Sequence, residues 1–165
     1  MKKRWLVIFL LSLLVSQNAL AIDLFPPFLP KTGDKALDSM LETINDKAKS
    51  DINFFVKSMS TLGKVHETSL RLLLDRDKFA PGDVYMAVRL SMLSGKPLDF
   101  VAAQYKAGRV EGWGVMAKRL GIKPGSSAFH ELKKEAGGMA EKSEKKGKGR
   151  KDSDSGKSKG KGKNK

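Results

Sequence analysis

From residue 37 onward the apolar side chains return every third or fourth position and nowhere sustain a two-residue alternation, which confines this chain to packed helices. Leu37, Leu41, Ile44, Ala48, Ile52, Phe55, Met59 and Leu62 form one such stripe, the mark of a helix with one buried face. Its charged residues Glu42, Asp46, Lys47, Lys49 and Lys57 fall on the other face. The pattern predicts one long helix over residues 37–62, capped by Asp34 or Thr32 and ended at Gly63. Further elements follow from the breakers. A short helix over 67–74 carries Leu70, Leu73 and Leu74. A third opens at Pro81, with Asp83 near its positive end and Val84, Ala87, Val88, Leu90 and Met92 as a broad apolar surface. A fourth runs from Pro97 to near Gly108, and a fifth over 113–120 stops at Gly121. A sixth is capped by Ser126 and ended by Gly137-Gly138. The expectation is an all-α domain, a small bundle of about five to six helices with short connections.

The two ends of the chain differ from this middle. Residues 1–21 place Lys2, Lys3 and Arg4 before an apolar run of eleven residues and a polar stretch closing on Ala19-Leu20-Ala21. That is the layout of a secretory signal peptide, and the run is shorter than the roughly 20 residues a membrane span needs. The chain is therefore expected to be exported, periplasmic or extracellular, after cleavage behind Ala21. It has no cysteine, which excludes a lipid anchor on that residue and leaves the core to hold the fold without disulfides. Residues 22–34 read as an extended arm, because three prolines in "IDLFPPFLP" forbid a regular helix. Leu24, Phe25, Phe28 and Leu29 are expected to press on the domain, which is set at 35–136.

Residues 137–165 are read as a disordered basic tail. From Lys142 on there are eleven Lys or Arg against three Asp or Glu, a net +8, with no apolar residue. Such a composition cannot bury enough apolar surface to order itself. The candidate polyanion-binding residues are Lys142, Lys145, Lys146, Lys148, Arg150, Lys151, Lys157, Lys159, Lys161, Lys163 and Lys165. A second basic face is expected from Lys106, Arg109, Lys118, Arg119 and Lys123.

Several chemical motifs fail on their spacing. Gly156-Lys157-Ser158 resembles the end of a phosphate-binding loop, but Lys151 occupies the place of its first glycine. Asp152 and Asp154 begin like a calcium loop, but Lys163 stands where the bidentate glutamate belongs. His66-Glu67 is followed by Leu70 and His130-Glu131 by Lys134, so neither completes the paired-histidine zinc motif. Gly112-Trp113-Gly114 matches a dinucleotide turn without the preceding strand that motif requires. No catalytic, metal or cofactor-binding residue is assigned on these grounds.

The segment "GWGVMAKRLGIKPGSSAFH", residues 112–130, admits two readings. A helix, a glycine-containing turn and "GVMAKRLG" match helix-turn-helix geometry, the basis of a nucleic-acid-binding alternative. As a packing unit, Gly112 and Gly114 let the chain turn tightly around Trp113, with Val115, Met116 and Leu120 facing inward and Phe129 and Leu132 closing the bundle. Over residues 37–134 the chain resembles a family of small exported bacterial helical proteins that share a Gly-Trp-Gly-x-x-Ala-x-x-Leu-Gly-Ile-Lys-Pro-Gly-Ser segment. Family members usually read Lys-Gly before the Trp-Gly, whereas here Val110-Glu111 precede Gly112, so the basic residue is missing at position 111. The resemblance implies a signal peptide, a helical domain and a Lys/Gly-rich tail, and no activity. The leading expectation is an envelope-associated binding or scaffold protein. Its partners would be anionic envelope components (lipopolysaccharide, anionic lipid, cell-wall polymer) or an acidic protein. A nucleic-acid-binding domain comes second and an enzyme third.

Overall fold

The computed structural model describes residues 27–148, with side chains through Lys142. These residues form seven helices and no strand: α1 (Lys35–Ser50), α2 (Ile52–Gly63), α3 (Glu67–Asp75), α4 (Pro81–Ser94), α5 (Leu98–Ala107), α6 (Trp113–Arg119) and α7 (Ser127–Lys148). The all-α bundle expected from the apolar period is what forms. Among the described residues no helix is long and apolar enough to cross a membrane. Residues 1–21, expected as a signal peptide, and the start of the arm with Leu24 and Phe25 lie outside the described residues.

Helix α4 is the hub. It packs on α1, α2, α3 and α5, and all ten residues from Pro81 to Leu90 are buried. A helix enclosed on every side has no polar face, so its two buried charges, Asp83 and Arg89, need partners from its neighbours. Its buried first turn is closed by Asn45 of α1, whose Oδ1 accepts from the Gly82 N–H at 3.1 Å. Such an interhelical cap satisfies a donor that has no partner within the helix. Met92, expected in the apolar surface, is exposed two residues beyond the enclosed stretch.

The single long helix expected over 37–62 is two helices. Asp51 breaks it: its side chain accepts from the Phe54 N–H at 3.1 Å and starts α2, while its own N–H closes α1 on Ala48 O. The side chain competes with the helical backbone, as short polar residues do. The apolar stripe survives the break because both helices keep the same buried side. Gly63 ends α2 as expected, yet the left-handed residue there is Lys64. A Cβ on Gly63 would stand 2.7 Å from Val88 Cγ1, so the glycine admits α4.

Helix α7 corrects the other boundary. Gly137-Gly138 lie inside it and the helix continues to Lys148, so the domain does not end at residue 136 and the tail does not begin at 137. Glycine costs a helix roughly 1 kcal/mol relative to alanine. Docking on α1 offsets it: Ala136 is buried, Met139 and Ala140 pack on the core, and Gly137 faces the Met40 thioether. An ion pair from Lys133 to Asp34 at 2.7 Å fixes the register, and that same Asp34 caps α1 by accepting from Leu37 N–H.

The arm is held where it meets α6. Trp113 N–H donates to Pro30 O and Gly114 N–H to Lys31 O. A Cβ on Gly114 would come within 2.3 Å of Thr32 O, and one on Gly112 within 2.4 Å of Lys31 Cβ. Gly112 also has φ 84°, open to glycine at little cost. The expectation of a tight corner around a buried Trp113 holds, with the arm as the second strand of the corner. Phe28 presses on Gly82 as expected of the arm, whereas Leu29 points to solvent. Val115, expected inside, is partly exposed; the inner face of α6 is Trp113, Met116 and Ala117.

Candidate binding groove and the acid cluster beneath it

The chain leaves α3 through Lys78, whose left-handed φ of 54° reverses it. Phe79 N–H then bonds to Leu73 O at 2.9 Å, which turns the Phe79 ring inward. This corner sets two things at once: the end of a surface groove between α3 and α5, and the wall of a buried polar cluster.

The groove has a volume of about 650 Å³, within the range of small-molecule sites. Leu73, Phe79, Leu98 and Ala102 contribute apolar surface, and Leu72 adds a half-exposed edge. Lys64, His66, Arg76, Asp77, Asp99 and Lys106 supply its charged and titratable lining. Asp77 accepts from Lys106 at 2.8 Å and from Arg76 at 3.1 Å. The Arg76 hydrogen bond first, and Lys106 after it, hold the Asp77 carboxyl below its usual value. Lys64 and His66 form no ion pair among the described residues.

Behind Phe79 lies Asp83, 2 % exposed. Its Oδ1 accepts from Trp113 Nε1 at 2.8 Å and from the Tyr105 hydroxyl at 2.9 Å. Its Oδ2 accepts from Arg109 Nη2 at 2.9 Å and from Ala80 N–H at 3.2 Å. Four donors satisfy a carboxylate that would be costly to bury alone. The aromatic rings close around it: Tyr105 and Trp113 stack at 3.6 Å between centroids, Phe79 meets Tyr105 edge-on at 5.7 Å, and Arg109 lies over Phe79. Burial, with the Asp83 charge beside it, pushes the Tyr105 hydroxyl above its ordinary value, so it remains a donor. Burial is the strongest single influence and works against the Arg109 charge, but the hydrogen bond to Asp83, the Asp83 charge and Tyr105 together outweigh it and hold the guanidinium above its usual value. The cluster ties α4, α5 and α6 into one unit and braces the groove from below.

The five residues expected to form a basic face are not a free face. Arg109 is bound to Asp83 and Lys78 O, Lys106 to Asp77, and Arg119 to Glu111. Lys118 and Lys123 are exposed without an acidic partner among the described residues. The reason is spatial: acids 29 and 26 residues away meet Lys106 and Arg109 once the helices pack, and Glu111 just before α6 meets Arg119. Of the tail residues, Lys142 is exposed, and Lys145, Lys146 and Lys148 ride on the last turns of α7. Arg150, Lys151, Lys157, Lys159, Lys161, Lys163 and Lys165 lie outside the described residues.

The histidines are apart in role. His66 lines the groove and His130 stands exposed on α7. Among the described residues no group of three His, Cys, Asp or Glu is placed to hold a metal ion. The first turn of α6, where a DNA-reading helix would present side chains to base edges, is covered by the arm, and Trp113 is wholly buried.

Asp83 was legible in the sequence only as a favourable charge at a helix start. A stronger signal was present: "FAPGDVYMAVRL", residues 79–90, carries just two charges in an otherwise apolar run, and both are buried. No protein-family model matches the chain, and comparison with curated proteins and with solved structures finds no significant match.

Proposed function

We propose that this protein is an exported, envelope-associated binding or scaffold protein, non-catalytic, whose helical domain receives a partner in the α3–α5 groove. The groove carries the reading: about 650 Å³ with an apolar floor and a mixed charged rim, braced by the Asp83 cluster. The signal-peptide layout of residues 1–21 supports export, and the basic composition after Lys142 supports attraction to anionic envelope surfaces. A Lys or Arg near such a surface contributes about 1 kcal/mol, screened by salt.

The test compares the full chain with one ending at Lys148, which keeps every described residue, for binding to lipopolysaccharide, phosphatidylglycerol vesicles and duplex DNA across a salt series. Residues 149–165 retain seven Lys or Arg and two Asp or Glu. Their removal should take away the salt-steep affinity shared by all three ligands. Binding that survives should favour an envelope ligand and be blocked by Ala103→Trp, which fills the groove from an exposed lining position. If the shortened chain instead prefers one DNA sequence, and Ala103→Trp leaves that intact, the nucleic-acid reading replaces this one.

A further inference from the structure

Away from the groove, Arg89 and Tyr85 sit one turn apart on α4, and both are buried. The Arg89 side chain is 3 % exposed. Its Nε and Nη2, and the Tyr85 hydroxyl, have no hydrogen-bond partner among the described residues. Among the described residues Nη1 meets only the Met92 thioether, at 3.8 Å. Nη2 has one acid near it, Glu131 Oε1 of α7 at 3.5 Å, beyond the 2.7–2.9 Å of a charge-assisted hydrogen bond.

This arrangement is unusual in its energetics. A buried guanidinium without a close partner costs several kcal/mol. The Nε and Nη2 hydrogens leave the same edge of the planar group, spaced to meet two oxygens of one carboxylate or phosphate. Here that edge is the unsatisfied one. Tyr85 adds a hydroxyl that burial keeps protonated by raising it above its ordinary value; the Arg89 charge opposes that rise and Glu135 adds to it. The Glu131 side chain, at the mouth, is 59 % exposed. The acid nearest the guanidinium edge is therefore a solvent-facing side chain.

We propose that Arg89 and Tyr85 form a recognition site for a single carboxylate or phosphate group of a ligand, with Glu131 the displaceable carboxylate at its mouth. The ligand oxygens take the Nε–H and Nη2–H pair and the Tyr85 O–H, and Glu131 and Glu135 disfavour a second negative charge. The site is independent of the groove, whose lining contains none of these residues.

The experiment follows the Arg89 Nε–H resonance in the ¹⁵N-labelled full chain, assigned by its loss in Arg89→Lys. Inorganic phosphate and acetate are titrated against chloride at constant ionic strength, so that general screening and the basic tail cancel. The expected result is a saturable shift with phosphate or acetate. It should weaken about fivefold in Tyr85→Phe, the equivalent of one lost hydrogen bond, and tighten several-fold in Glu131→Gln. A resonance that stays fixed, or that moves equally with chloride, overturns the proposal. So does a shift insensitive to both variants, and so does anion binding seen only in Glu131→Gln, which makes Glu131 the internal partner. Phosphatidylglycerol vesicles form a second arm: binding lost in Arg89→Lys places the group on a lipid headgroup, and binding unchanged places it on a soluble anion.

Discussion

Replacing Asp83 with asparagine tests the buried cluster without changing its shape. The carboxylate accepts four hydrogen bonds, two at each oxygen, from Trp113 Nε1, the Tyr105 hydroxyl, Arg109 Nη2 and Ala80 N–H. An amide has one oxygen, so one pair of donors must face an NH₂ whichever way it is turned. A buried donor left unmatched costs about 1–3 kcal/mol. Arg109 also loses its counter-charge, and breaking a buried pair from one side costs about 3–5 kcal/mol. These losses overlap, since Arg109 is partly exposed and recovers some hydration. A destabilisation of about 3–5 kcal/mol is expected, a large share of the roughly 5–15 kcal/mol that holds a domain together. Urea unfolding followed by circular dichroism and by Trp113 fluorescence measures it, and the melting temperature should fall by about 10–20 °C. Arg109→Met in the Asp83→Asn background should cost less than Arg109→Met alone, because the pair is already broken. A loss below about 1 kcal/mol in Asp83→Asn would refute the reasoning. If groove binding vanished at the same time, the carboxylate would be a ligand-handling group and not a brace.

Gly114→Ala puts a methyl 2.3 Å from Thr32 O and should free the arm, costing more than about 2 kcal/mol, while Gly121→Ala meets no atom within 4 Å and carries only backbone strain; equal melting temperatures for the two would contradict the corner described here. Lys133 and then Leu37 N–H hold Asp34 below its usual value, as Arg76 and then Lys106 do Asp77. Depressed carboxylates contribute stability that is full above about pH 4 and lost as pH falls through their folded values. The melting temperature should therefore drop below pH 4, and Asp34→Asn with Asp77→Asn should flatten that drop while lowering stability at pH 7; an acid limb of unchanged slope counts against both pairs. The chain ending at Lys148 should melt with the full chain, which calorimetry checks. Mass spectrometry of the protein from its native host should find Ile22 first, and intact Met1 in soluble cytosol would remove the export half of the proposed function.

The helices were legible because their signals are local. An apolar period of 3.6, a proline at the first turn of α4 and glycines at 95 and 121 act over one or two turns, and α3 to α6 form where the pattern put them. Trp113 could be read as a packing residue for the same reason: two glycines beside a large ring imply close backbone, and the close backbone is Pro30 to Thr32. Local signals failed where a neighbour outweighed them. Asp51 broke a continuous stripe by capping α2, and Gly137-Gly138 stayed helical because α1 supplies the contacts that glycine lacks. Charge was the least legible property. A cation is available or engaged according to what lies within hydrogen-bond reach, and the acids that engage Lys106 and Arg109 stand 29 and 26 residues away. Arg89 stands in the sequence as one of two charges in an otherwise apolar stretch of α4. Only the tertiary structure buries it, leaves its Nε and Nη2 without hydrogen bonds among the described residues, and brings Glu131 of α7 to 3.5 Å from Nη2.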